Sequence, residues 1–159
     1  MARTMGSWLS GPEPESGLGP NDYPGERLGL PQSGPGSIAR FGRRIGAVSI
    51  DYLIAYGIAR IVVAVAIGAE AFMYSWIGSV AVAVTFVLLG TVAVRLYEFT
   101  PGQLVFGLRV ASVDHRQHVG VGRAFVRVIL VQFVLPALFT DRDMRGLQDL
   151  ATKTAVVRR

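Results

Sequence analysis

Apolar residues run almost unbroken from Ile45 to Gly68 and again from Phe72 to Val94, and a shorter run covers Val128 to Phe139. The first two contain 24 and 23 residues. At about 1.5 Å of rise per residue, each is long enough to cross a hydrocarbon core of about 30 Å with some tilt. The second carries no formal charge and has Tyr74 and Trp76 at one end and Tyr97 just beyond the other, where interfacial aromatics belong. Only a few residues join the two, so they are expected to form a tight antiparallel hairpin, with a first span at about 45–68 and a second at about 72–94.

The third run is too short to span as it stands and contains Gln132 and Pro136. Arg142, Arg145, Lys153, Arg158 and Arg159 come after it, and another crossing would carry them all to the far side. A re-entrant or interfacial helix over about 123–140 fits those charges better; a third true span, extended back to Arg123, is the alternative. Between the second span and this segment, the Val and Leu stretches flanking DHRQH in residues 104–125 read as a short β-hairpin, to which TAVV at 154–157 is able to add. An interfacial stretch lying flat on the bilayer is the other reading of that region. Residues 1–37 hold eight Gly and six Pro and are expected to form a disordered tail, with Trp8, Leu9 and GERLGLP at 25–31 as a candidate docking motif.

Composition and charge agree with an all-α membrane protein. The chain of 159 residues is 51% hydrophobic and 17% charged, with a mean hydropathy of +0.43, against about 25% charged in soluble domains. A net charge of +5 and a pI near 10.2 reflect cations flanking the apolar runs rather than a nucleic-acid surface. Arg40, Arg43 and Arg44 precede the first span, and Arg95, Arg109, Arg116, Arg123 and Arg127 come after the second, whereas the turn between them holds only Glu70. By the positive-inside rule both termini are cytoplasmic and the protein sits as a multi-pass chain in the cell membrane.

Two charges interrupt the first span. Arg44 and Asp51 are two helical turns apart and share a face, about 10 Å apart along the axis. An ionisable group at the depth of Asp51 costs about 2.5–3.5 kcal/mol on insertion scales unless it finds a partner or water, and Arg44 is the nearest candidate in sequence. Arg60 points from the opposite face; it is expected to snorkel outward or to meet Glu70. Thr100, Pro101 and Gly102 make a turn after the second span, with Thr100 placed to cap the next segment, and Arg127 is a further candidate just before the third apolar run.

Other chemistry lacks residues to carry it. There is no cysteine. Asp141, Asp143 and Asp149 do not meet calcium-loop spacing, and His115 and His118 have no third ligand. Without a nucleophile-plus-base set, a P-loop or a dinucleotide fingerprint, neither an enzyme nor a cofactor is expected.

Taken together, RRIGAVSID at 43–51, TPGQLVFGLRV at 100–110 and RGLQDLATKTAVV at 145–157 resemble the RDD family of small bacterial integral membrane proteins, over about residues 38–157. The resemblance places the family's Arg and first Asp on Arg44 and Asp51, and its second Asp on Asp149. It implies a functional or structural cluster of Arg44, Asp51 and Asp149, with Arg60, Thr100, Pro101, Gly102 and Arg127 as secondary positions. Three departures stand out: TPGQ replaces the usual TPGK, Gln148 replaces the His before the second Asp, and Asp114-His115 replaces an Asp-Gly turn. Losing that Lys and His weakens direct transport, since both groups bind anions or relay protons. Two functions are expected. One is transport of a proton, cation or small solute, which two spans achieve only by self-association. The other is a non-catalytic accessory or assembly subunit bound to other membrane proteins.

Overall fold

A computed structural model of the chain describes residues 23–113, 119–133 and 144–159, apart from the side chain of Tyr74. The first apolar run becomes α1 (Phe41–Ile67), ended by Gly68 at φ 100°. A short α2 (Ala69–Tyr74) comes next, and Ser75 caps the restart of the chain into α3 (Trp76–Tyr97) by accepting from the Ile77 amide at 3.3 Å. The second long helix thus begins at Trp76 rather than near Phe72. Gly78 marks the reason: it lies so close under the Phe72 carbonyl that a side chain there would overlap it.

Every fourth residue decides how the long helices meet. α1 buries Ala47, Asp51, Ala55, Ala59 and Val63, and α3 buries Gly78, Val82, Phe86, Gly90 and Val94. Small residues on such stripes let backbones approach closely. The apolar windows of α1 and α3 have mean hydropathies of 2.0 and 2.4 and are only 22% and 28% buried. A core helix of a soluble domain buries most of such a surface, whereas Leu53, Ile61, Val65, Leu88 and Leu96 remain exposed here. Continuous apolar faces of this kind suit lipid.

The third segment forms α5 (Val121–Gln132), after α4 (Pro101–Val105) and β1 (Leu108–Ser112). α5 is one-sided: it buries Ala124, Arg127 and Val128 and presents Phe125 and Val126 outward. Its 12 residues cover about 18 Å, short of a span; the remainder of the expected segment, residues 134–140, lies outside the described residues. Gly90 receives α5, since a Cβ there would come within 2.9 Å of a Val128 methyl.

The β structure differs from the expected hairpin across DHRQH. β1 pairs antiparallel with β2 (Thr154–Arg158), Val110 opposite Val156, after the chain has passed through α5 and α6 (Leu147–Ala151). Val119 is drawn instead into an apolar cluster with Val94, Val110 and Ala124, and Gly120 opens α5. One face of the two-stranded sheet carries Leu108 and Val156 against Ala39 and Ala47. The other carries Ala155 and Val157, covered by Ile38, Leu28 and Leu30. Ser37 and Ala39 bond along β2, with Arg158 N to Ser37 O at 2.9 Å and Ala39 N to Val156 O at 2.9 Å. Part of the segment expected as tail therefore packs: residues 23–37 include a 3-10 turn at Glu26–Leu28 within GERLGLP. Trp8 and Leu9 lie outside the described residues.

Two glycines test this packing. Gly90→Leu should drive a side chain into Val128 and lower stability by about 1–3 kcal/mol. Gly57→Ala, in open space on α1, should be neutral or raise stability by up to about 1 kcal/mol. Thermal unfolding in detergent, monitored by circular dichroism, reads both; a Gly90→Leu midpoint at or above wild type contradicts the α3–α5 contact.

Candidate functional site

Asp51 lies on the inward stripe of α1, and the TPGQ turn is its receptor. Thr100 Oγ1 donates to Asp51 Oδ2 at 2.5 Å, and the Gly102 amide donates to Oδ1 at 2.7 Å. Each residue of the turn has a distinct reason to be there. Thr100 Oγ1 also accepts from the Gln103 amide at 3.3 Å, and Gln103 Oε1 accepts from the Thr100 amide at 3.1 Å, closing a capping box. Pro101 occupies the first helical position, where no amide is needed. Gly102 is required because a Cβ would strike the Ala47 carbonyl and the Asp51 carboxyl. Gln103 supplies an acceptor that a lysine lacks, so the reciprocal half of the box belongs to the glutamine.

Asp149 is the second centre. The side chain is 0% exposed, against 4% for Arg127 and 12% for Arg44. Arg44 Nη1 donates to Asp149 Oδ2 at 2.6 Å, Arg127 Nη1 donates to Oδ1, and the Gly146 amide donates to Oδ2 at 3.2 Å. The remaining Arg44 nitrogens reach backbone: Nε to Ala39 O at 3.0 Å and Nη2 to Val156 O at 3.3 Å. Arg127 also donates to Thr154 Oγ1 at 2.8 Å, and the Thr154 and Thr152 hydroxyls are bonded at 2.8 Å. A single guanidinium thus ties α1 to the chain before it, to β2 and to α6.

The structure brings Arg44 and Asp149 together and gives Asp51 other partners. Spacing made Arg44 the nearest candidate for Asp51, but both Asp51 oxygens are taken by the turn and Arg44 turns toward the sheet. Thr100, Pro101 and Gly102 join Asp51, and Arg127 joins Asp149. Arg60 lies apart on an exposed face, donating to Met73 Sδ at 3.4 Å. Gly146 and Thr154 were not singled out in the sequence, and Gln103 only as a departure from the family's usual Lys. The signal for Arg127 was present: it falls on the apolar stripe of α5 beside Ala124 and Val128. His115, His118, Asp141 and Asp143 lie outside the described residues.

A cavity of about 510 Å³ separates α1, α3 and α5. Val48, Phe86 and Val128 line it together with Arg44, Asp51, Arg127 and Gln148. It is the size of a small-molecule pocket.

Burial alone pushes the Asp149 carboxyl up. Arg127 and Arg44, with hydrogen bonds from Arg127 and Gly146, outweigh that and hold it below the usual carboxylate range. Its stabilisation is therefore complete above the unfolded value of about 3.9 and is lost as pH falls through the lower folded value. Asp149→Asn should destabilise the protein at neutral pH by about 3–5 kcal/mol, because it strands two buried guanidiniums. It should also lose less further stability than wild type as the pH is lowered from about 4. Unfolding midpoints measured across that range decide it, and equal acid sensitivity of the two proteins counts against the assignment.

No curated protein and no solved structure matches the chain significantly. The RDD family profile does match, over residues 38–153, which takes in α1 with Arg44 and Asp51, the TPGQ turn, Arg127 and Asp149. With a family model that matches most of the chain and two helices apolar enough to cross a bilayer, the chain belongs to the RDD family of membrane proteins.

Proposed function

We propose that the protein is transport-related and non-enzymatic, handling a proton, a cation or a small solute at the cavity beside Asp51. The observation that carries this is the setting of Asp51: a carboxylate on a cavity wall between two apolar helices, held by a hydroxyl and an amide. Among the described residues no cation pairs with it. A carboxylate free of a fixed counter-charge is able to exchange a proton or cation, whereas the Arg44–Asp149–Arg127 cluster is closed on itself and serves as a frame. Two spans do not enclose a pathway alone, so transport requires self-association. Ser79 and Ala83 lie off the stripe that α3 uses on α1, and supply a small-residue face for it.

The charge distribution supports a multi-pass chain of the cell membrane with both termini cytoplasmic, since cations flank α1 and lie beyond α3 while Glu70 lies between. The absence of cysteine makes this testable with single introduced thiols. In intact cells Ala69→Cys should react with an impermeant maleimide, and Gly42→Cys only after permeabilisation; the reverse pattern overturns the orientation.

The second reading, an accessory or assembly subunit, is favoured by the Asp149 cluster, in which both carboxylate oxygens and every Arg44 side-chain nitrogen are bonded within the protein, which suits holding more than moving. Asp51→Asn separates the two. In reconstituted vesicles it should reduce flux by at least about tenfold, the scale of losing one charge-assisted hydrogen-bonding group, while the protein stays folded. Full flux in a folded Asp51→Asn protein rejects transport at this carboxylate and leaves the accessory reading.

A further inference from the structure

The cavity is a groove with an open side. α1 and α5 both pack on α3, and the space between them is floored by Phe86 and Leu89 of α3, with Val48 on one wall and Val128 and Val131 on the other. Ile45, Tyr52 and Leu53 belong to its lining and are exposed, so the groove opens onto the outer surface of the helices. That surface is apolar and suits lipid. Two hydroxyls stand at the opening. Ser49 and Tyr52 both line the groove and are exposed, and neither hydroxyl has a hydrogen-bond partner among the described residues. The charged groups beside them are engaged within the protein, Arg44 through three nitrogens and Asp51 through both oxygens.

Position along α1 identifies what the two hydroxyls meet. Ser49 lies one turn, about 6 Å, beyond Ile45, where the apolar run begins, and Tyr52 lies about 4–5 Å deeper. Helical side chains lean toward the N-terminus, which carries the Tyr52 hydroxyl back toward the level of Ser49. This is the edge of the hydrocarbon layer, where water thins out and a glycerolipid holds its ester carbonyls. A hydroxyl left there without a partner costs free energy. An ester carbonyl only accepts, and a Ser or Tyr hydroxyl is able to donate to it. Beyond Phe41, at the far end of the lining, comes Arg40, the exposed N-cap of α1, at the level where a cation attracts an anionic headgroup. Cation, hydroxyls and hydrocarbon wall thus follow one another along the groove in the order of phosphate, ester and acyl chain.

We propose that the groove holds one anionic glycerophospholipid from the leaflet that contains the start of α1, with ester carbonyl oxygens on Ser49 and Tyr52, the phosphate beside Arg40 and one acyl chain between α1 and α5. The lipid closes the side of the cavity that the helices leave open. It does not depend on transport at Asp51, whose oxygens are held by the TPGQ turn.

The test uses the full chain in vesicles of diether phosphatidylcholine, which has no ester carbonyl, and two photoreactive probes. One is phosphatidylglycerol with a diazirine on an acyl chain; the other is the same lipid with ether linkages. The ester probe should label Leu89, Val128 and Val131 saturably, and the ether probe roughly three- to tenfold less, the scale of one hydrogen bond. Ser49→Ala combined with Tyr52→Phe removes only two exposed oxygens and should bring the ester probe down to the level of the ether probe. Arg40→Gln should lower labelling by the ester probe roughly fivefold, the scale of one cation at a headgroup. The comparison of probes on wild type stands even where a variant fails to fold. Equal labelling by the two probes, labels confined to outward positions such as Ile61 and Leu88, or wild-type labelling in Arg40→Gln each overturns the proposal. Disulfide-linked dimers of Leu53→Cys that exclude both probes give the face to a second copy and overturn it as well. Groove labelling with full flux in Asp51→Asn removes the transport reading and keeps this one; lost flux in that variant, with no saturable labelling of wild type, does the reverse.

Discussion

The carboxylate of Asp149, closed off from solvent between Arg44 and Arg127, is the contact on which the arrangement of the chain depends. Arg44 lies 105 residues away in sequence and Arg127 lies 22 away. The ion pairs therefore join the start of α1, α5 and the C-terminal segment at one point. Desolvating three charges is costly, and attraction in a low-dielectric interior offsets that cost only when the remaining donors are also satisfied. Here the other Arg44 nitrogens reach Ala39 and Val156, and Arg127 Nη1 also reaches Thr154. The same guanidinium that pairs with Asp149 thus holds β2 and the segment paired along it, and charge pairing and β pairing reinforce each other.

Asp51 solves a similar problem without a cation. Its oxygens take a hydroxyl and a backbone amide from the first turn of α4, a turn whose geometry is set by its own capping box. The amide at that position has no partner inside the helix, so a carboxylate placed there satisfies an orphan donor and gains solvation in return. The price of so close an approach is a glycine at 102, because α1 and α4 touch at backbone level there. The two carboxylates therefore have different consequences. Asp149 is immobilised by opposite charge, while Asp51 is held by neutral donors at the wall of a cavity.

Between these two anchors lies space that the side chains do not fill. α5 reaches α3 through Gly90 and Val128, α1 reaches α4 through Gly102, and the volume left over is walled by hydrocarbon with Gln148 on its lining.

Hydropathy and spacing by themselves determined much of this protein. They placed both long helices, the faces of Arg44, Asp51 and Arg60, and the cap at Thr100, because periodicity, span length and capping are properties of neighbouring residues. Tertiary structure alone decided which charges meet. Arg44 and Asp51 share a face, yet Arg44 pairs with a residue at the far end of the chain, and Asp51 with a turn whose role is unreadable until α4 is docked on α1. The partner of β1 was likewise decided only by folding, as was the packing of Leu28 and Leu30 over the sheet. Such contacts depend on the path of the chain between distant segments, and local pattern carries no record of that path.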